Sequence, residues 1–214
     1  TYQTYDLRLA RGAVKGAFTL FHYQRVFASE LTKAFFITPF INSIYVGFSV
    51  TVIAMIIGSL LAWLFVRTDI PYKKFFQTII VVPYMIPSWV IALAWLLFFQ
   101  NSRIGGKSGV LSIFFGINVP DWLSYGFVPT VICLALHYYS YTFLLMSGAL
   151  RTIDSELEEA GAIAGLKRRD VLKKITFPLV LPALGSSFVL TVTRSMGTFG
   201  TPALLGLPVR FFTL

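Results

Sequence analysis

Residues 151–178, RTIDSELEEAGAIAGLKRRDVLKKITFP, carry six basic and five acidic side chains in 28 positions and lie between two long apolar runs. A water-seeking loop is therefore held between two membrane segments. Ser155, Glu156, Leu157 and Glu158 have the capping-box form, in which a serine hydroxyl and a glutamate carboxylate satisfy free N–H groups at a helix start. Asp154, Glu156, Glu158 and Glu159 crowd the first turn, where the helix dipole favours negative charge. Leu157, Ala160, Gly161 and Ala164 follow at i, i+3, i+4 and i+7, a narrow stripe with almost no side-chain bulk. Gly165 ends the helix in the manner of a C-terminal glycine. A basic helix restarts over Lys167 to Lys174 with Val171, Leu172 and Ile175 on one side, and Pro178 opens the next apolar run. The stretch reads as a helix, a glycine bend and a second helix. Taken alone, it is equally a solvated loop whose charges set topology.

Outward from this loop the chain is a polytopic helical membrane protein. Of 214 residues, 56% are hydrophobic and 13% charged, a balance found where most surface faces lipid. Four spans are expected, at about 40–66, 75–99, 126–150 and 177–199, each long enough for the roughly 30 Å of hydrocarbon. Residues 1–39 form a separate outer segment in which GAFTLFHYQRVFAS (16–29) is an amphipathic stretch lying against the membrane. The net charge of +9 is scattered through loops rather than gathered on one face, which excludes a nucleic-acid partner. The single cysteine, Cys133, falls inside a span, so neither an internal disulfide nor a cysteine metal cluster is possible. GKSG at 106–109 lacks the upstream glycine spacing of a nucleotide loop.

Short-loop charge sets the orientation. Arg67, Lys73 and Lys74 lie between the first two spans and six basic residues between the last two, whereas Arg103 and Lys107 stand alone between the middle pair. The first and third loops are cytoplasmic by the positive-inside rule. Residues 1–39 then fall outside despite five basic residues, and a further span before Thr1 and another after Leu214 are expected.

Within the spans, several residues admit two readings. Pro83 and Pro87 in VVPYMIPSWVIALAW (81–95) each remove a backbone donor and bend the helix, and must face protein or a cavity. They belong either to an ordinary kinked packing helix or to the wall of a pathway. His137, Tyr138, Tyr139 and Tyr141 need hydrogen-bond partners at their depth, either in packing or along a pathway. Arg194, the one charge inside the spans as drawn, is either an anchor near the outer surface or a charge facing a route, with Phe199 beside it. No aspartate or glutamate lies in any span, so coupling to protons or sodium lacks its usual residue. Nor is there a nucleophile and base pair, a metal-ligand set or a cofactor loop.

Glu159, Ala160, Gly161, Gly165, Ile175, Phe177 and Pro178 occur at the spacings of Glu-Ala-Ala, three residues, Gly, nine residues, Ile, any residue, Leu-Pro. The stretch thus resembles the EAA loop of binding-protein-dependent ABC importer permeases. Gly161 stands for the second alanine and Phe177 for the leucine. The FGTPALLGLP run (199–208) is similar to the equivalent stretch in permeases for ferric iron. The resemblance implies an all-α type I importer transmembrane domain over 40–214, a six-span module lacking its ends. It implies a coupling helix over the 151–178 loop, with Glu158, Glu159, Ala160, Gly161, Ala164 and Gly165 meeting the ATPase; on the pathway readings given above, Pro83, Pro87, His137, Tyr141, Arg194 and Phe199 are the candidate residues of the translocation path. The implied partners are a cytosolic ABC ATPase dimer that binds ATP and Mg, a second permease module, an extracytoplasmic solute-binding protein and membrane lipid. No catalytic residue, resident metal or cofactor is expected in this chain, and its place is the bacterial cytoplasmic membrane. Phosphonate, polyamine and thiamine are alternative cargoes, and a membrane-embedded enzyme or sensor using His137 and Arg194 is the alternative of another class.

Overall fold

The structure, a computed structural model, describes residues 32–153 and 155–214; the amphipathic stretch expected at 16–29 lies outside them. All regular structure among the described residues is helical. A π-helical turn, Lys33–Ile37, runs into α1 (Thr38–Arg67). Then come α2 (Lys73–Met85) and α3 (Ser88–Phe99), three short helices α4 (Ser102–Gly105), α5 (Val110–Phe115) and α6 (Asp121–Ser124), and the long α7 (Phe127–Thr152). α8 (Ser155–Ile163) and α9 (Arg168–Val171) form the charged loop. A second π-helical turn, Leu172–Thr176, leads into α10 (Phe177–Met196), followed by α11 (Gly200–Gly206) and a 3-10 turn, Leu207–Val209. Among the described residues, three continuous helical runs are long and apolar enough to cross a membrane, and the α2–α3 pair makes a fourth if its halves form one span.

α7 is the axis of the bundle. Its buried residues, from Pro129 and Thr130 through Cys133, Leu134 and His137 to Met146 and Leu150, occur on every side of the helix, the pattern of a span enclosed by protein. α1 instead buries one stripe, Ser43, Val46, Gly47, Val50, Ala54, Gly58, Ala62 and Phe65, and turns Ile44, Phe48, Ile56 and Leu60 outward. Lipid tails are as apolar as leucine, so such helices associate through close packing and interhelical hydrogen bonds. Gly58 shows the closeness required: a Cβ there would stand 2.5 Å from the Tyr139 carbonyl oxygen and 2.6 Å from Thr142 Cβ. Thr142 and Ser187 hydroxyls meet at 2.6 Å, joining α7 to α10 inside the bundle.

The second span departs from the single kinked helix expected over 75–99. α2 and α3 are separate helices bent by 93°. Pro87 has no N–H to give the Pro83 carbonyl, and the residue before a proline is driven out of the helical region; Ile86 is extended at φ −87°, ψ 130°. The pair nevertheless travels the length of α7. Gln77 meets Arg151, Ile80 meets Ser140 and Pro83 meets His137. Ala92 then packs with Cys133, and the Phe99 carbonyl accepts from Ser124. Contacts that advance steadily from one end of α7 to the other belong to a chain that crosses in two pieces.

The last span also stops earlier than 199: α10 ends at Met196 with Gly197 as its cap, and Phe199 is the N-cap of α11. Both π-helical turns end two residues before a proline, Pro39 and Pro178. A proline lacks the N–H of the regular ladder and crowds the carbonyl four residues back, and a widened turn accommodates both effects. Pro178 therefore joins the loop to α10 without a break.

Candidate functional site

The charged loop is an elbow built on two glycines. α8 ends at Ile163, and two residues on, Gly165 takes a left-handed φ of +84°, a region costly for residues with a Cβ. Leu166 N–H donates to the Gly161 carbonyl at 3.0 Å and Ala164 N–H to that of Ala160 at 2.9 Å, the first being the 6→1 bond of a Schellman ending. The chain re-enters helix at once, with Asp170 and Val171 N–H groups donating to the Lys167 carbonyl at 2.7 and 3.1 Å. The second arm does not end at Lys174 but continues through the π-helical turn into α10. The second arm of the elbow is thereby continuous with a span.

The small-residue stripe divides between the two arms. Gly161 is buried, and a Cβ there would lie 2.8 Å from Ile175 Cδ1 and 3.4 Å from Val171 Cγ2; its smallness serves the contact between the arms. Ala160, Ala164 and Glu159 are exposed, as is Leu157. Ile163 is 87% exposed and completes an apolar patch with Leu157, Ala160 and Ala164, which sequence reading missed. The signal was available: Ile163 lies three residues after Ala160 on the helix. Glu158 belongs to α8, and its side chain, like that of Ser155, lies outside those described.

A second cluster sits where α2 breaks against α7 and α10. His137, 7% exposed, places Nδ1 3.0 Å from the Pro83 carbonyl oxygen. A carbonyl only accepts, so Nδ1 carries the proton. This bond replaces the one Pro87 cannot make, which accounts for a buried histidine at a proline break. The Tyr141 hydroxyl donates to that of Tyr84 at 2.8 Å, their rings 4.6 Å apart. Tyr141 also stacks on Tyr138 at 6.0 Å. The Tyr138 hydroxyl lies 2.6 Å from Thr198 Oγ1 and 3.3 Å from the Arg194 carbonyl, to which Thr198 donates at 2.8 Å. Tyr84, Tyr138 and Thr198 thus join His137, Tyr141, Pro83 and Arg194 in one connected set. Pro87 starts α3 beside it, with the following Trp89 against Gly200. Phe199 is 70% exposed and caps α11.

Arg194 occupies the last turn of α10 and is exposed. An arginine facing mid-membrane hydrocarbon costs about 2.5–3.5 kcal/mol, and a helix C-terminus offsets only about 0.3–1 kcal/mol of that. The side chain is more stable toward water or protein than toward lipid tails. Among the described residues, no group of three or more His, Cys, Asp or Glu could hold a metal ion.

Three comparisons bear on these features. The chain is 28% identical over 195 residues to the ferric transport system permease protein FbpB of Actinobacillus pleuropneumoniae, matching 88% of this chain and 28% of that protein. It is 24% identical over 195 residues to the galactooligosaccharides transport system permease protein GanP of Bacillus subtilis, over 86% of this chain and 46% of that one. The chain therefore spans less than half the length of either relative. A chain from the crystal structure of an amino acid ABC transporter with histidines superposes with a TM-score of 0.51 at 22% identity, covering 78% of this chain and 71% of that chain; at that identity the likeness is one of fold. Residues 54–213, which hold α2 to α11 and just under half of α1, match the family model for the inner membrane component of binding-protein-dependent transport systems, and the chain belongs to that family.

Proposed function

We propose that this chain is the permease segment of an ATP-driven importer, and that the α8 elbow is the place where a separate cytosolic ATPase dimer takes hold. The observation that carries this reading is the exposed patch of Leu157, Ala160, Ile163 and Ala164 on a short helix whose continuation is a span. An apolar helix face exposed outside the membrane gains by docking in a groove, and the glycine elbow turns a push on α8 into a tilt of α10. ATP and Mg bind the partner; this chain supplies the moving wall. Closure of the ATPase dimer would rock α10, α7 and the broken α2–α3 span between inward-open and outward-open states. A second permease module completes the pore, and a solute-binding protein delivers cargo from outside. Ferric iron is the proposed cargo, supported by the ferric relative and by the 199–208 run. Membership of a transport family sets aside His137 and Arg194 as an embedded enzyme or sensor site.

The test uses the full-length permease reconstituted with its ATPase and binding protein. Ile163→Arg, Glu159→Lys and Gly165→Val should insert normally yet lose ATP-driven uptake while the ATPase still hydrolyses ATP. Wild-type uptake in all three overturns the proposal.

A further inference from the structure

Arg194 and the phenols beside it carry chemistry that the coupling reading leaves unused. Arg194 is exposed, and no carboxylate lies within the spans or is recorded as its partner among the described residues. Tyr138 and Thr198 bond its backbone carbonyl, which pins the turn and leaves the guanidinium uncommitted. Tyr138 stacks on Tyr141, and the Tyr141 hydroxyl donates a hydrogen bond to that of Tyr84. The Tyr84 hydroxyl donates to no acceptor among the described residues, and Tyr84 is 39% exposed. The Arg194 charge is within electrostatic reach of Tyr138 and Tyr141, and Tyr141 bonds Tyr84, so a cation and a phenolic donor with its proton to spare lie beside the same two tyrosines, with no carboxylate among the described residues of the spans. A bare metal cation would meet like charge there, whereas a carboxylate or phosphate oxygen would find two donors.

The geometry points to Arg194 and Tyr84, with Tyr141 orienting Tyr84, as a station for anionic oxygen on the cargo, so that iron passes this point as an anionic oxygen-ligand complex rather than as the naked ion. This deepens the importer reading and rests on it for the word cargo; the site itself is a statement about these side chains.

The experiment measures equilibrium binding of radiolabelled citrate and of inorganic phosphate to the complete transporter in phosphatidylcholine nanodiscs, with folding checked by gel filtration and thermal unfolding. Saturable binding of at least one probe is expected. Arg194→Gln should weaken it about tenfold or more, and Arg194→Lys should retain most of it, because a charge-assisted bond is lost in one and kept in the other. Tyr84→Phe should weaken it about threefold, as for one neutral hydrogen bond. Uptake of iron supplied as its citrate complex should fall in the same order. Failure of wild type to bind either probe saturably, or equal binding by Arg194→Gln, overturns the inference. So does displacement of both probes by phosphatidylglycerol added to the nanodiscs, which would give the site to a lipid headgroup. These outcomes are separate from the elbow variants: uncoupling at Ile163 with no anion binding would leave the importer reading standing alone.

Discussion

His137 shows how a single buried polar group is explained by a backbone defect elsewhere. Its Nδ1–H serves the carbonyl that Pro87 leaves without a donor. His137→Ala should therefore destabilise the protein by about 1–3 kcal/mol, the cost of an unsatisfied buried acceptor. In a Pro87→Ala background, where residue 87 regains an N–H, the same substitution should cost less. Thermal unfolding of the four proteins in detergent gives the double-mutant cycle, and strictly additive losses would show that the two groups are not coupled through that carbonyl. The glycines make a second comparison. At Gly58 a methyl group would strike backbone atoms of Tyr139 and Phe143, whereas at Gly161 the nearest atom is the movable end of Ile175. Gly58→Ala should cost about 1–3 kcal/mol as overpacking, while Gly161→Ala should be near neutral, helped by about 1 kcal/mol of helix propensity.

Among the elements, the broken α2–α3 span has the most direct geometric consequence. Phe76 and Leu97 are exposed on its two halves. A continuous helix would place them about 31 Å apart at 1.5 Å per residue, and a right-angle bend shortens this to about 22 Å. Spin labels at 76 and 97 should read the shorter distance, and Pro83→Ala with Pro87→Ala should lengthen it by several ångströms. An unchanged distance would mean that packing against α7 and α11, not the missing N–H groups, holds the bend. Broken spans are where transporters expose backbone groups to cargo, and the proposed anion station lies beside this joint.

For the whole molecule, the charge of the loops and the packing of the helices bear on the same orientation. The α1–α2 loop and the elbow lie at one end of α7, next to Arg151 and Ile153, while Asn101, Arg103 and Asp121 form a polar network at the other. Cys133 is the one cysteine of these 214 residues and is buried, so Cys133→Ser, with any cysteine outside them replaced as well, provides the background. A cysteine at Lys107 should react with a membrane-impermeant maleimide on intact cells, and one at Lys167 only after the membrane is opened. Labelling of Lys167→Cys from outside would put the elbow where no cytosolic motor can reach it.

Much of this was legible in the residues. A glycine needing a left-handed turn at 165, a charged loop between apolar runs, and positive charge on alternate loops are local properties, expressed wherever the chain goes. The helical class and the places of the spans follow from them. What local patterns do not contain is which faces meet. The stripe of Ala160, Gly161 and Ala164 reads as one surface, yet folding turns Gly161 onto Ile175 and leaves Ile163 outside. Two prolines four apart announce a bend, but its 93° angle and the histidine that satisfies it depend on α7 lying alongside. Arg194 reads as an isolated charge until Tyr84, 110 positions earlier, is brought into the same cluster, because contacts distant in sequence arise only when the helices pack.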